Sequence, residues 1–339
     1  MLYDPLTGMV LYEKDACARR SMASTTKIMT ALVALEIYDP EAAVVIDRAW
    51  TGIEGSSMYL KAGEQMQILD LLYGLMLMSG NDAAVALASL LTGNADDFVT
   101  LMNRKAQELG LRDTAFANPN GLEAEGHYST AYDMAQLMAA AMENALFREI
   151  AGTSSCNRAG RYMRNHNKLL TGYDGCTGGK TGFTRKAGRC LVSSAMREGR
   201  QLIAVTLNAP DDWNDHAALY DQAFAEMERV QLCTGGSVGE VPVAGGREER
   251  CALYIEQGFA LPLFSGERAQ IALTIEGPRM IYGPVQAGDP YGCLKVYLGE
   301  QVLFTTPIYY KTEICAAEKP TAEGGFRRWL QDRIFGSGS

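Results

Sequence analysis

A serine hydroxyl is a poor nucleophile until a base takes its proton, and a lysine three residues further along a helix stands one turn away on the same face. Ser24-Thr25-Thr26-Lys27 offers that pair at the head of an apolar run. A lysine acts as the base when burial or a neighbouring cation lowers its pKa, and a helix N-terminus adds N–H groups and positive potential where an oxyanion could form. Alone the tetrad means little, since a chain of this length carries on the order of one S-x-x-K by chance. The same residues also read as an N-cap serine followed by a surface lysine.

Two further triplets carry complementary chemistry. Ser79-Gly80-Asn81 interrupts an apolar stretch: its hydroxyl could relay protons, and its amide could hold a substrate carbonyl while contacting Lys27. A plain interhelical turn explains it equally well. Lys180-Thr181-Gly182 precedes a strand pattern over 189–195 and falls on one arm of a hairpin. A cation, a hydroxyl and a residue without a Cβ suit a strand that binds a carboxylate edge-on. Chance supplies a K-T-G in about one such chain in ten or twenty. Two other motifs fail on context. Gly235-Gly236-Ser237-Val238-Gly239 matches a nucleophile elbow, but Glu240-Val241-Pro242-Val243 cannot start the helix an elbow needs. Gly179-Lys180-Thr181 lacks the glycine a phosphate-binding loop places six residues before its lysine, where Asp174 stands.

The elements that position these residues are legible in outline. The first twelve residues read as two short strands around Thr7-Gly8. A buried helix runs from Thr25 to Ile37 with Ser24 as a possible cap. Helical patterns cover 68–78 and 83–91, with Asp82 as N-cap of the second, then 97–109, 131–147 and about 215–230; strands cover 189–195 and 201–207. After Val230 period-two alternation takes over, in 251–255, 270–275, 294–298 and 301–304. The expected organisation is an α+β domain over 1–230, a small all-β domain over 231–316, and a polar linker with an amphipathic segment over 317–339. In that segment Phe326, Trp329, Leu330 and Ile334 share a helical face that could lie on an anionic membrane surface or dock on the protein.

Composition narrows the class. With 339 residues, 47% hydrophobic, the chain can bury a sizeable core. Forty acidic against 31 basic residues argue against nucleic acid as a partner. The apolar run from Leu71 to Met78 is far too short to span a bilayer. The three histidines, His127, His166 and His216, form no H-E-x-x-H pattern, and the eight cysteines form no C-x-x-C pair, so a metal site is not expected. The cysteines read as small buried side chains rather than a disulfide framework.

In this order and context, S-x-x-K, S-x-N and K-T-G form the motif set of penicillin-binding proteins and class A β-lactamases. The chain resembles the D-alanyl-D-alanine carboxypeptidases, the low-molecular-mass penicillin-binding proteins of serine peptidase family S11. Family-like blocks include Met78-Ser79-Gly80-Asn81-Asp82-Ala83-Ala84, Asn118-Pro119-Asn120-Gly121-Leu122, Tyr128-Ser129-Thr130-Ala131 and Asn165-His166-Asn167-Lys168-Leu169-Leu170. The resemblance implies a transpeptidase-like α+β domain, a helical cluster with an antiparallel sheet, followed by a small all-β domain. It implies Ser24 as acylated nucleophile, Lys27 as general base, and Ser79 and Asn81 in proton transfer and substrate positioning. Lys180 would supply a positive field, Thr181 and Gly182 a binding edge for the terminal carboxylate, and the N–H groups of Ser24 and Phe183 the oxyanion hole. The implied substrate is a peptidoglycan stem peptide ending in D-Ala-D-Ala, with β-lactams as acylating mimics and no metal or organic cofactor.

Two departures accompany the resemblance. The family is secreted, whereas no charged and apolar leader opens this sequence; an extracytoplasmic placement at the cell wall therefore implies a leader already removed. Some relatives carry a carboxylate-binding arginine downstream of K-T-G, and the corresponding stretch 208–215 has none. A class A β-lactamase would need a deacylating glutamate in E-x-x-x-N, which neither Glu143 nor Glu149 provides. A non-catalytic, penicillin-sensing or wall-binding protein would have no need of a nucleophile beside a base.

Overall fold

The computed structural model describes residues 1–317 and divides into two units, Met1–Met227 and a second beginning at Glu228. The first unit is built on an antiparallel sheet in the order β2-β1-β9-β8-β7. Its strands are β1 (Leu2–Asp4), β2 (Met9–Tyr12), β7 (Cys176–Thr184), β8 (Gly188–Arg197) and β9 (Arg200–Leu207). Two small ribbons accompany it: β3 (Ala43–Val45) with β4 (Gln65–Gln67), and β5 (Ser155–Arg158) with β6 (Arg161–Arg164). The helices are α1 (Lys27–Ile37), α2 (Ile68–Leu77), α3 (Asn81–Ser89), α4 (Ala95–Glu108), α5 (Ala131–Glu143), α6 (Ala145–Gly152), the single turn α7 (Leu169–Gly172), and α8 (Asp212–Ala225). The α+β expectation holds.

Helix α1 is buried all round from Lys27 through Ala34, the mark of a core helix. It touches α2, α3, α4, α5 and α6. Its beginning differs from the expected cap. Ala23–Thr26 forms one 3-10 turn, in which Thr25 and Thr26 donate their hydroxyls back to the carbonyls of Met22 and Ala23 at 2.6 and 2.8 Å. The two threonines hold the turn, and Ser24 does no capping.

Asp82 is not a cap either, because α3 starts at Asn81 with Gly80 as N-cap. Its fully buried carboxylate accepts from the backbone N–H groups of Met58, Leu60 and Ala83 at 3.0, 3.1 and 2.9 Å and from the Ser57 hydroxyl at 2.5 Å. One side chain thus pins the 57–60 loop to the S-x-N turn. Asp82→Ala would strand three buried donors and is expected to destabilise the fold by about 3–5 kcal/mol, read as a lowered denaturation midpoint.

Other boundaries moved for local reasons. The pattern over 131–147 is two helices, split where Asn144 accepts from the N–H groups of Leu146 and Phe147 and caps the second. The helix expected over about 215–230 ends at Ala225, and Glu228–Val230 already belong to a strand. Of the eight free cysteines Cys190 and Cys251 are buried but Cys17 and Cys315 are exposed, so small buried residues describe only part of the set.

The second unit is all β among the described residues, apart from one 3-10 turn. β10 (Glu228–Cys233) pairs with β13 (Phe259–Leu263). A six-stranded sheet runs in the order β14-β16-β17-β12-β11-β15, from β11 (Gly236–Ala244), β12 (Arg250–Ile255), β14 (Ile271–Glu276), β15 (Ile281–Tyr282), β16 (Pro290–Leu298) and β17 (Gln301–Tyr310). Val241, Leu253, Ile255, Leu294 and Ile308 form the centre of its core. Ser237 sits within β11 and donates to the Leu253 carbonyl at 3.4 Å, so the G-x-S-x-G match is strand. No helix of the described residues is long and apolar enough to cross a membrane. Phe326, Trp329, Leu330 and Ile334 lie outside the described residues.

Candidate active site

At the start of α1 the 3-10 turn presents Ser24 to a cleft while Lys27 points into the protein. Lys27 Nζ donates to Ser24 Oγ at 3.0 Å, Asn81 Oδ1 at 2.7 Å and the Asn120 carbonyl at 2.6 Å. The first and second sequence motifs therefore meet at one nitrogen. Lys27 has no solvent exposure, which overturns the surface-lysine reading. Burial, then the nearby charge of Lys180, pushes its pKa well below the ordinary lysine value, with Asp82 opposing. A lysine so placed is held ready to accept a proton.

The backbone around it is unusual at two points. Ala23 and Ser79 both adopt positive φ, 48° and 57°, a conformation L residues avoid and functional sites tolerate. Ser79 is buried to 4% exposure and lines the cleft. Asn81 is locked from behind, its Nδ2 donating to the Glu54 carbonyl at 2.5 Å.

The third motif arrives on β7, laid against the nucleophile turn. A Cβ at Gly182 would stand 3.0 Å from both Ser24 N and Met22 O, so the missing side chain is what permits the approach. Gly121 crowds the other side: with φ +89°, its Cβ would fall 2.0 Å from the Ala23 carbonyl oxygen. Lys180, next along β7, is 1% exposed and donates to the Thr181 carbonyl at 2.9 Å. Burial lowers its pKa to about 7. The supposed phosphate loop is thus extended strand.

A cleft of about 810 Å³ lies above these groups, with Ser24, Ser79, Thr181, Gly182 and Phe183 on its surface. All eight residues singled out in the sequence are at the cleft or directly beneath it. Several others were not anticipated as site residues. The β5–β6 ribbon contributes Tyr162 and Arg164 to one wall. Arg161 anchors the ribbon through two bonds to Glu64, at 2.7 and 2.9 Å, and through the Met58 and Tyr59 carbonyls. His166 faces the cleft between Asn165 and Asn167, whose amides bond the Ala151, Thr153 and Gly178 carbonyls. Arg189 and Trp213 complete the lining near Phe183. The N-H-N block was visible in the sequence; nothing there signalled that Arg189 would reach the same cleft.

His127 and His216 take no part in a serine–histidine pair with Ser24. His127 Nδ1 accepts from the Ala117 N–H at 3.0 Å, which leaves Nε2 to donate to Thr26 Oγ1 at 2.9 Å behind the nucleophile turn. Burial lowers its pKa to about 4, so the ring is neutral near pH 7. His216 and Ser193, bonded at 2.7 Å, are sealed in the core with Tyr220. Glu149 accepts from the Tyr73 hydroxyl at 3.0 Å, and neither it nor Glu143 lines the cleft.

Comparisons with known proteins agree along the chain. The sequence profile of the Peptidase S11 family, D-alanyl-D-alanine carboxypeptidase, matches residues 1–211, and that of penicillin-binding protein 5, C-terminal domain, matches 229–315. The D-alanyl-D-alanine carboxypeptidase DacF of Bacillus subtilis is 33% identical over 345 residues, covering 96% of this chain and 86% of the relative. DacA of Escherichia coli, named for the same activity, is 32% identical over 337 residues, covering 93% and 82%. The crystal structure of penicillin binding protein 5 from Haemophilus influenzae matches with a TM-score of 0.66 at 26% identity, covering 93% of this chain and 96% of that one.

Proposed function

The chain belongs to the D-alanyl-D-alanine carboxypeptidases of serine peptidase family S11, and on that premise we propose that Ser24 is acylated by the penultimate D-Ala of a peptidoglycan stem pentapeptide, releasing the terminal D-Ala. The observation that carries the residue assignment is the desolvated Lys27 amine 3.0 Å from Ser24 Oγ. In this reading Lys27 takes the Ser24 proton as Oγ attacks the carbonyl carbon. The N–H groups of Ser24 and Phe183 receive the oxyanion. Collapse of the tetrahedral species breaks the peptide bond, and the departing amine takes a proton by way of Lys27 and Ser79. Water then attacks the acyl-enzyme carbonyl and gives its proton to the same base; the bond to Ser24 Oγ breaks as that proton is returned to Oγ, freeing the shortened peptide. Asn81 holds Lys27 and the substrate, Lys180 supplies positive field, and Thr181 and Gly182 offer the edge along which substrate lies. A β-lactam presents a strained amide to the same serine and acylates it. The substrate places the enzyme on the extracytoplasmic side, at the wall.

The two lysines set opposite limbs of a pH profile. In acid Lys27 becomes an ammonium and cannot accept the proton, so acylation falls as pH drops through its lowered pKa. Above about 7 the free enzyme loses the Lys180 charge, and kcat/KM falls again. A bell-shaped kcat/KM is expected, with the alkaline limb displaced upward in kcat because a bound anion favours the Lys180 ammonium. In Lys180→Arg the alkaline limb should vanish at a reduced maximum; an unmoved limb would assign it elsewhere.

The direct test is intact-mass spectrometry after incubation with penicillin G, peptide mapping of the adduct, and a D-Ala release assay on a pentapeptide. One penicilloyl group on the Ser24 peptide together with D-Ala release is the expected result. An adduct without release would favour a penicillin-sensing protein, and rapid repeated hydrolysis of penicillin G a β-lactamase. Neither adduct nor release would overturn the serine mechanism.

A further inference from the structure

We propose that Arg189 is the cation that receives the substrate's free C-terminal carboxylate, and that it sets the preference of this cleft for a peptide end over a peptide middle. The inference rests on the carboxypeptidase reading and specifies where that substrate's charge is bound. Antiparallel pairing of β7 with β8 sets Arg189 opposite Phe183, beside the strand edge that carries Thr181. Both side chains line the cleft with Ser24. The guanidinium is held from one side only: Nε and Nη2 donate to the same oxygen of Asp212 at 3.1 and 2.6 Å. Asp212 is almost wholly buried at 3% side-chain exposure, whereas the Arg189 side chain is 41% exposed. The Trp213 ring lies 5.5 Å from the guanidinium carbon and flanks it. Nη1 finds no acceptor among the described residues.

An arginine fixed by a buried carboxylate, flanked by an indole and turned toward a cleft is pre-organised for an anion. The other cations are placed differently. Lys27 and Lys180 lie buried beneath the surface, and Arg164 and Lys168 come from the separate 154–171 segment. The segment 208–215 supplies no arginine of its own; it supplies Asp212 and Trp213, the two side chains that hold one from the neighbouring strand. Because a guanidinium stays charged at any working pH, this contact persists where Lys180 loses its proton.

The test compares the full chain and Arg189→Ala on an N-acylated tripeptide ending in D-Ala-D-Ala and on the same peptide as its C-terminal amide. Free-acid kcat/KM is expected to fall about 10- to 100-fold, and amide kcat/KM to change much less, so that the acid-over-amide preference collapses. Arg189→Lys, which keeps the charge without the fork, should recover part of the preference. Arg189→Ala leaves Asp212 buried without its cation, so the double variant R189Q/D212N, which removes both charges, is measured beside it and should lose the same preference. An equal fall on both peptides in the double variant, or an unchanged preference, would overturn the inference. A wild-type enzyme that cleaves the D-Ala-D-Ala bond of neither peptide, releasing neither D-Ala nor D-alaninamide, would instead fault the carboxypeptidase reading.

Discussion

Ser24→Ala is expected to lower D-Ala release by at least about 10⁴-fold and to abolish the penicilloyl adduct. The loss should be chemical and not structural. The turn that carries Ser24 is closed by the hydroxyls of Thr25 and Thr26, and the Ser24 side chain faces the cleft. Alanine fits the same backbone, so the melting temperature should stay close to that of the native protein, within about 1 kcal/mol of stability. The variant also separates Ser24 from Ser79, a second serine at the cleft, whose own backbone has positive φ. If acylation persisted at the native rate with the adduct mapping to Ser79, the roles assigned to the two serines would be wrong.

Lys27→Arg is expected to lose about 10²–10⁴-fold in acylation although it conserves formal charge. Two properties are demanded of this position at once. The side chain must be able to lose its proton at a lowered pKa, which burial and Lys180 arrange for a lysine amine but cannot for a guanidinium. It must also satisfy Asn81 Oδ1 and the Asn120 carbonyl, at 2.7 and 2.6 Å, within a space that has no solvent. Lys27→Met removes the base and strands both acceptors. It should show a comparable loss of rate, a cost of about 1–3 kcal/mol in stability, and no acid limb in its residual pH profile. Stopped-flow acylation by a chromogenic β-lactam measures both Lys27 variants on one scale. Retention of native acylation by Lys27→Arg would show that position 27 supplies charge and not proton transfer.

Some of this site could be read without coordinates. Ser24 and Lys27 are three residues apart, and a helical turn brings them together whatever the rest of the chain does. K-T-G on a hairpin arm follows from the polar residues between two apolar strands, and β7 pairs with β8 as that pattern requires. Local signals misled where a polar side chain had two possible employers. Ser24 and Asp82 both have the chemistry of an N-cap, yet one faces a cleft and the other collects donors from a loop more than 20 residues earlier in the chain. Asn144 was passed over inside a long apolar pattern, although its backbone closes one helix and its side chain caps the next.

The sequence by itself determined the reaction type, because a nucleophile, its base, an amide and a cation-bearing strand edge appear in the order and local settings that acyl transfer to serine requires. It also determined the α+β architecture, through periods that change from helical to alternating along the chain. Only the tertiary structure decided the electrostatics. Lys27 is an ordinary lysine until α1 is surrounded by five other helices and Lys180 is brought close, and neither fact is local. The same holds for Arg189, which reads as one more charge on a strand until Asp212, 23 residues later, turns it toward the cleft. A pKa and an aimed guanidinium are set by what surrounds a side chain in space, and that environment is assembled from residues far apart in the chain.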